Sequence, residues 1–126
     1  MRDLAGVDIQ EAGGSVVGRV TGEIDASNAI QVQRKLLEAV GNEGAGLVID
    51  LTRTDYLDSA GIRVLFDTGD RLRVRGMELR IVAAPDSFIA DVLATVKMNE
   101  RYGVDGDTSA ALATLADRMP RDRTHD

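Results

Sequence analysis

A serine stands where the chain passes from an apolar run into a helical pattern, in the segment Asp58-Ser59-Ala60-Gly61. The apolar run before it, residues 46–51, is typical of a buried strand, and helical spacing of apolar residues begins near Ile62. The free N–H groups and the dipole at the start of a helix favour negative charge there. The position therefore suits a phosphate on the hydroxyl of Ser59.

A capping role is the ordinary alternative for Ser59. Serine is a preferred N-cap residue because its hydroxyl accepts a hydrogen bond from a helical N–H two or three residues later. The two roles are compatible, since a phosphate on a capping serine keeps the favourable helix end and adds a charge of about −1.5 to −2. We therefore expect phosphorylation to change the surface outside the cap and to leave the fold intact.

Three aspartates, Asp25, Asp50 and Asp58, could point to the same end of the predicted sheet as Ser59. Such a cluster could orient the serine or hold a magnesium ion. The ordinary interpretation is a set of caps and turn residues. We favour that interpretation for Asp50, and for Asp25 the residues leave both open.

Composition excludes several classes of chemistry. The chain has 126 residues, no cysteine and one histidine, His125. A Ser-His-Asp triad in the core, a thiolate nucleophile and a histidine-ligated metal site are therefore excluded, and we expect neither a metal nor a cofactor. A net charge of −6 and 3% aromatic residues argue against nucleic acid as the main partner.

The distribution of apolar residues predicts one globular domain and no membrane span. The hydrophobic fraction of 44% is ordinary for a soluble protein of one domain. No apolar run is long enough to cross a membrane, and the first residues lack the apolar core of a signal peptide. We expect a cytoplasmic protein without direct membrane insertion.

Periodicity and turn residues predict the elements that must position Ser59. The predicted strands cover residues 4–10, 15–20, 46–51, 78–83 and 101–104, and a turn at Gly13-Gly14 joins the first two as a hairpin. The predicted helices run from 29 to 40, from 59 or just after it to 75, from 88 to 96 and from 108 to 119. Gly69 is unfavourable inside the second helix, so we expect that helix to pack closely against the sheet there.

This order of elements predicts an α/β protein. We expect a single domain with a mixed sheet of four to five strands, an antiparallel edge hairpin and about four helices packed against the sheet. The domain should span residues 1–119. Residues 120–126 should form a disordered tail.

With these residues in hand, the chain resembles the STAS family, and within it the anti-sigma factor antagonists of bacteria. The resemblance covers roughly residues 7–119. It rests on Gly22-Glu23-Ile24-Asp25, Val48-Ile49-Asp50-Leu51, Tyr56-Leu57-Asp58-Ser59-Ala60-Gly61-Ile62 and Leu79-Arg80-Ile81-Val82. The Asp-Ser-x-Gly element after a buried strand, with Gly-x-x-Asp upstream, is specific in combination.

The resemblance implies partner switching. In such proteins the unphosphorylated antagonist binds an anti-sigma factor that is also a serine kinase of the GHKL type, and binding frees the sigma factor. The kinase phosphorylates the serine after the aspartate, the antagonist is released, and a PP2C-type phosphatase reverses the modification. By resemblance, Ser59 is the phosphoacceptor, Asp58 its motif neighbour and Asp25 the loop aspartate near the kinase contact, while Gly61 leaves room for the phosphate. Many members have Ser or Thr at the position of Ala60. Because alanine has no hydroxyl, the motif of this chain carries only the hydroxyl of Ser59.

We expect a partly apolar docking patch around the serine. Its residues are Asp25, Tyr56, Leu57, Asp58, Ser59, Ala60, Gly61, Ile62 and Arg63. A phosphate in this patch must lose its hydration if the complex persists, and an uncompensated buried charge costs several kcal/mol. Repulsion from Asp58 adds to that cost, so phosphorylation should weaken binding by orders of magnitude.

Two other functions stay open at this point. A STAS module could instead be a scaffold subunit of a stress-signalling complex or an accessory subunit in lipid transport. A phosphoaspartate receiver would use Asp50 or Asp58 as acceptor, but receivers need an acidic pair after the first strand and a lysine after a late one. Here the first predicted strand ends at Gln10-Glu11 without such a pair, and Lys97 lies in or just after a helix.

Overall fold

A computed structural model describes residues 5–41 and 44–118 of the chain. Its elements are β1 (Gly6–Ala12), β2 (Ser15–Ile24), α1 (Ala29–Val40), β3 (Gly46–Asp50), β4 (Thr54–Leu57), α2 (Ser59–Val74), β5 (Glu78–Val82), α3 (Phe88–Thr95), α4 (Met98–Arg101), β6 (Gly103–Asp105) and α5 (Thr108–Arg118). The predicted end of the last helix at Met119 and the predicted tail 120–126 lie outside the described residues.

The strands of the described chain form one mixed sheet. Five of them lie in the order β1-β2-β3-β5-β6, and β4 pairs with the end of β2. β1 and β2 are antiparallel, whereas the pairs β2–β3, β3–β5 and β5–β6 are parallel. The predicted α/β class and the antiparallel edge hairpin are confirmed. The short elements β4 and α4 are additions that the sequence pattern did not predict.

Helices cover both faces of the sheet. Strand residues alternate between the faces, so that Val16 and Val20 of β2 join the core under α1 and α2, while Val17 joins the core under α5. Leu36 of α1 and Leu72 of α2 are almost completely buried in the first core. The helices thereby fix the sheet from both sides, except over part of the edge hairpin.

β2 connects β3 and β4 at the carboxyl edge of the sheet, because it pairs with both strands. It has ten residues and pairs first with β3, then with β4, with an irregular register between Gly22 and Glu23. This second pairing extends β2 to Ile24, beyond the predicted strand 15–20. At the same edge the chain leaves β2 for the loop of Asp25 and leaves β4 for α2, which begins at Ser59.

Gly69 is a close-packing position, as predicted, but its neighbour is an aromatic ring rather than the sheet. A Cβ at Gly69 would lie 2.2 Å from Cζ of Tyr102. The Tyr102 ring packs against Phe66, and its hydroxyl donates a hydrogen bond to the carboxylate of Asp70. That hydrogen bond holds the pKa of Asp70 below its ordinary value, while burial and the same bond raise the pKa of Tyr102.

Candidate functional site

The helix that begins at Ser59 is capped by the residue before it. Oδ1 of Asp58 accepts hydrogen bonds from the backbone N–H groups of Ala60 at 2.9 Å and Gly61 at 3.0 Å. Asp58 has the extended backbone of an N-cap, and Ser59 is the first helical residue. The capping role considered for Ser59 is therefore wrong, because the aspartate takes the amides that a capping serine would need.

The hydroxyl of Ser59 is free to carry a modification. Ser59 is exposed, and its Oγ makes no hydrogen bond to any other residue in the described part of the chain. Because the cap belongs to Asp58, a group attached to Oγ displaces no contact of the fold. A negatively charged group on Oγ would lie next to the Asp58 carboxylate, and the two negative charges would repel each other.

The start of α2 packs tightly onto the end of β2. The N–H of Asp58 donates to the carbonyl of Ile24 at 3.2 Å. Below it Gly61 is buried, and a Cβ there would lie 2.5 Å from Cδ1 of Leu57 and 3.1 Å from Cγ2 of Ile24. The role expected for Gly61, leaving room for a phosphate, is wrong because its missing side chain faces the core. Gly61 instead lets α2 approach β2, which places Ser59 beside the loop after Ile24.

Asp25 shapes that loop with its own carboxylate. Its Oδ1 accepts the N–H of Ser27 at 2.9 Å and the Ser27 hydroxyl at 2.5 Å. The buried Asn28 holds the loop from below: its Nδ2 donates to the Glu23 carbonyl at 2.8 Å, and its Oδ1 accepts the Asp25 N–H at 3.0 Å. Sequence reasoning missed this role, because Asn28 stands among several residues that could equally cap α1.

Asp50 lies apart from Ser59. Its side chain is 2% exposed, and its Oδ2 lies 3.2 Å from Nε of Arg19, its cross-strand neighbour in β2. Its Oδ1 accepts the N–H and hydroxyl of Thr52 at 2.9 and 2.7 Å, which confirms the turn role favoured for it. Burial raises the pKa of Asp50, but the bonds from Thr52 and Arg19 outweigh burial, and the pKa lies below its ordinary value.

The three aspartates thus have separate structural partners rather than a shared one. Asp25 bonds within its loop, Asp50 bonds to Thr52 and Arg19, and Asp58 caps α2. Within residues 5–41 and 44–118, no group of three or more acidic, histidine or cysteine side chains is placed to hold a metal ion. No helix in that part of the chain is long and apolar enough to span a membrane.

Tyr56 and Phe88 form an exposed aromatic pair at the same edge of the sheet. Their rings are 8° from parallel with centroids 6.4 Å apart. Phe88 was not among the predicted site residues. The sequence signal for it is slight, an aromatic residue directly after Ser87, whose Oγ accepts the N–H of Ala90 at 3.0 Å and so caps α3.

Some residues of the predicted docking patch are exposed and others are buried. Its exposed residues are Tyr56, Ser59 and Arg63, and its partly exposed residues are Asp25, Asp58, Ala60 and Ile62. Leu57 and Gly61 are buried, so they offer no surface to a partner, although both were expected in the docking patch. Both residues instead support the turn that presents Ser59.

The protein is an α/β domain in which helices cover both faces of a mixed sheet, and an Asp-Ser turn lies at the start of α2. A model of the STAS domain family matches residues 6–102. The chain therefore belongs to the STAS domain family.

Among curated relatives, the anti-sigma-B factor antagonist of Listeria monocytogenes is 40% identical over 67 residues. That alignment covers 53% of this chain, and the chain spans 59% of the Listeria protein. The relative is thus similar over about half of the chain, and its name gives the role of that protein.

Two solved proteins share the fold. The crystal structure of an anti-sigma factor antagonist from Mycobacterium paratuberculosis superposes with a TM-score of 0.78 at 22% identity, covering 88% of this chain and 93% of that one. SpoIIAA, an anti-sigma factor antagonist, matches in its unphosphorylated form with a TM-score of 0.61 at 16% identity, covering 91% and 100%. SpoIIAA of Bacillus in its phosphorylated form matches at 0.63 and 16%, covering 87% and 99%. These likenesses confirm the STAS fold.

Proposed function

We propose that this protein is an anti-sigma factor antagonist that acts by partner switching. Its homologues are named as anti-sigma factor antagonists, and membership of the family supports the same general role. In this proposal the unphosphorylated chain binds an anti-sigma factor that is also a serine kinase of the GHKL type, and the sigma factor is released. The chain is then a kinase substrate rather than an enzyme, and it acts in the cytoplasm with the sigma factor.

Phosphorylation of Ser59 is the step that ends the complex in this proposal. The observation that carries it is the exposed Oγ of Ser59 at the first residue of α2, free of hydrogen bonds to the described chain. A solved relative of the same fold, SpoIIAA, exists in phosphorylated and unphosphorylated forms. A PP2C-type phosphatase would return Ser59 to the binding-competent state.

The charges around Ser59 give a physical reason for release. A phosphate adds about −1.5 to −2 charges beside Asp58. The amides of Ala60 and Gly61, which could have compensated it, already bond to Asp58. Burying such a charge under a partner costs several kcal/mol, and about 3 kcal/mol corresponds to a loss of affinity of more than a hundredfold.

The docking patch contacts the partner through its exposed and partly exposed members. In the proposal these are Asp25, Tyr56, Asp58, Ser59, Ala60, Ile62 and Arg63. Asn28, Leu57 and Gly61 support them from below, because each is buried under the patch or its loop.

Binding to the anti-sigma factor kinase that copurifies with the protein tests the proposal. We expect Ser59→Ala to bind as tightly as wild type and to stay bound when ATP is added, since it cannot be phosphorylated. Ser59→Asp should bind at least about tenfold more weakly. Ser109→Asp, which adds the same charge to an exposed position in the first turn of α5, is the matched control and should bind normally. The proposal fails if Ser59→Asp binds like wild type or if ATP releases Ser59→Ala.

A further inference from the structure

The Tyr56–Phe88 pair is an aromatic feature of the protein surface. The chain has four aromatic residues, two tyrosines and two phenylalanines. Phe66 and Tyr102 pack against each other with centroids 6.3 Å apart, and Tyr102 is buried. Tyr56 and Phe88 stay 43% and 56% exposed. Half of the aromatic residues therefore lie where a partner can cover them, and aromatic side chains are enriched among the residues that dominate binding energy.

Three exposed carboxylates belong to residues that are near Tyr56 or Phe88 in strand register or in sequence. Glu23 is the cross-strand neighbour of Tyr56 in the register of β2 and β4, so the two side chains share a face of the sheet. Asp91 follows Phe88 by one helical turn on the same side of α3, and Asp86 precedes it in the loop. Within the described part of the chain, none of these three carboxylates has a hydrogen-bond or ion-pair partner.

At Tyr102 the same molecule combines an aromatic ring and a carboxylate with arginine guanidinium groups. The Tyr102 hydroxyl bonds to Asp70, and the guanidinium carbons of Arg73 and Arg101 lie 5.1 and 5.7 Å from the ring centroid. Nη2 of Arg101 also donates to Oδ1 of Asp70 at 2.8 Å. Ring, carboxylate and guanidinium thus combine cation–π attraction with a charge-assisted hydrogen bond. At the exposed pair the rings and carboxylates are present, and no cation of the described residues lies over them.

We propose that the rings of Tyr56 and Phe88, with the carboxylates of Glu23 and Asp91, bind an arginine side chain of the anti-sigma factor. The inference rests on the proposed function and adds the chemistry of the partner. Arginine fits better than lysine because its planar guanidinium can stack on a ring and donate two hydrogen bonds to a carboxylate.

The arginine site adjoins the docking patch, since Tyr56 belongs to both and stands three residues before Ser59. One partner surface can therefore cover the phosphoacceptor and the aromatic pair together. The Asp-Ser motif is among the segments on which the family resemblance rests, whereas Phe88 is in none of those segments. The arginine site accordingly serves selection among anti-sigma factors, and the serine serves release.

A titration with a small arginine compound tests the site without a partner protein. The probe is N-acetylarginine methylamide, and the matched control is N-acetylcitrulline methylamide, which has the same shape without the charge. We expect the arginine compound to shift the ring NMR signals of Tyr56 and Phe88 saturably at millimolar concentration, and citrulline to shift them much less. Phe88→Ala should abolish the shift of Tyr56. Equal shifts with both compounds would overturn the proposal, whatever becomes of the phosphorylation switch.

Affinity for the anti-sigma factor kinase that binds Ser59→Ala is the second measurement. We expect Phe88→Ala to weaken binding about tenfold or more. The matched control is Val74→Ala, because Val74 is 89% exposed at the far end of α2. Asp91→Asn should weaken binding about threefold and reduce its dependence on salt, as expected when an opposite charge is lost from an interface.

The two proposals fail in different ways in this measurement. If Ser59→Asp weakens binding and Phe88→Ala does not, the switch stands and the arginine site is wrong. If Phe88→Ala weakens binding and Ser59→Asp does not, the arginine site stands and the switch is wrong. Circular dichroism of each variant checks that α3, which begins at Phe88, remains folded.

Discussion

The carboxylate of Asp58 accepts the backbone N–H of Gly61 at 3.0 Å, and this contact sets the start of α2 without using the Ser59 hydroxyl. A second bond, from the Ala60 N–H, completes the cap. The residue that caps the helix and the residue proposed to be phosphorylated are thus different, adjacent residues. Stability depends on Asp58, and the surface chemistry depends on Ser59.

Loss of the Asp58 carboxylate should destabilise the domain. Asp58→Ala leaves the amides of Ala60 and Gly61 without their acceptor, and the expected loss in free energy of unfolding is about 1 kcal/mol. Asp58→Asn keeps an acceptor oxygen and should lose less. Urea unfolding measures both, with Ser59→Ala as the control that should change little. A larger loss for Ser59→Ala than for Asp58→Ala would contradict the assignment of the cap.

Gly61→Ala should destabilise the protein even though alanine is the better helix former. Propensity favours alanine in a helix by about 1 kcal/mol. The added Cβ would lie 3.2 Å from the carbonyl oxygen of Ile24, a backbone atom, and 2.5 Å from Cδ1 of Leu57. Overpacking of this kind costs about 1–3 kcal/mol, so a net loss of roughly 1 kcal/mol is expected from urea unfolding. An increase in stability would show that α2 has room to move away from β2.

The loop that carries Asp25 should depend on the amide of Asn28. Asn28→Ala removes two hydrogen bonds and leaves the Glu23 carbonyl and the Asp25 N–H without their partner. Each such loss costs about 1–3 kcal/mol when the group is buried. We expect lower stability in urea and faster hydrogen exchange at Asp25. Ser27→Ala, which removes only an exposed bond of the same loop, is the control, and equal exchange in the two variants would contradict the role of Asn28.

Asp50 should contribute stability that acid removes. Its pKa is lowered in the folded state, so the folded protein binds fewer protons there than the unfolded chain does. The contribution is complete above an unfolded pKa of about 3.9 and disappears as pH falls through the lower folded value. Asp50→Asn should therefore lose stability at neutral pH and show a flatter loss from pH 4 downward.

Urea unfolding across this pH range measures the difference. Replacement of a hydrogen-bonded buried carboxylate should cost about 1–3 kcal/mol at neutral pH. Asp117→Asn alters an exposed carboxylate of α5 and is the matched control. If Asp50→Asn and wild type lose stability in parallel below pH 4, the pairing of Asp50 with Arg19 and Thr52 does not act as described.

Elements with strong periodicity could be predicted from the sequence. The end of α1 was predicted from the glycine at position 41, which adopts a positive φ of 68°, and the start of α3 was predicted from the capping serine Ser87. The capping role for α2 was considered for Ser59, one residue after the actual N-cap Asp58. Aspartate and serine are both good N-cap residues, and the local sequence pattern does not distinguish between them.

Features that depend on tertiary contacts could not be predicted in the same way. β4 has only four residues, Thr54–Leu57, and it exists as a strand because it pairs with the end of β2. The pairing of Tyr56 with Phe88 joins residues far apart in the sequence, and neither residue has a local signal for the contact. The position of Ser59 at a strand-to-helix turn was predicted correctly, whereas the burial of Leu57 and Gly61 could not be read from the local pattern.

Phosphosite mapping by mass spectrometry tests the central claim most directly. The protein is taken from its native cells and separated into a pool bound to the anti-sigma factor kinase and a free pool. The account predicts phosphate on Ser59 in the free pool and unmodified Ser59 in the bound pool. Unmodified Ser59 in both pools, or phosphate at equal occupancy in both, would contradict it.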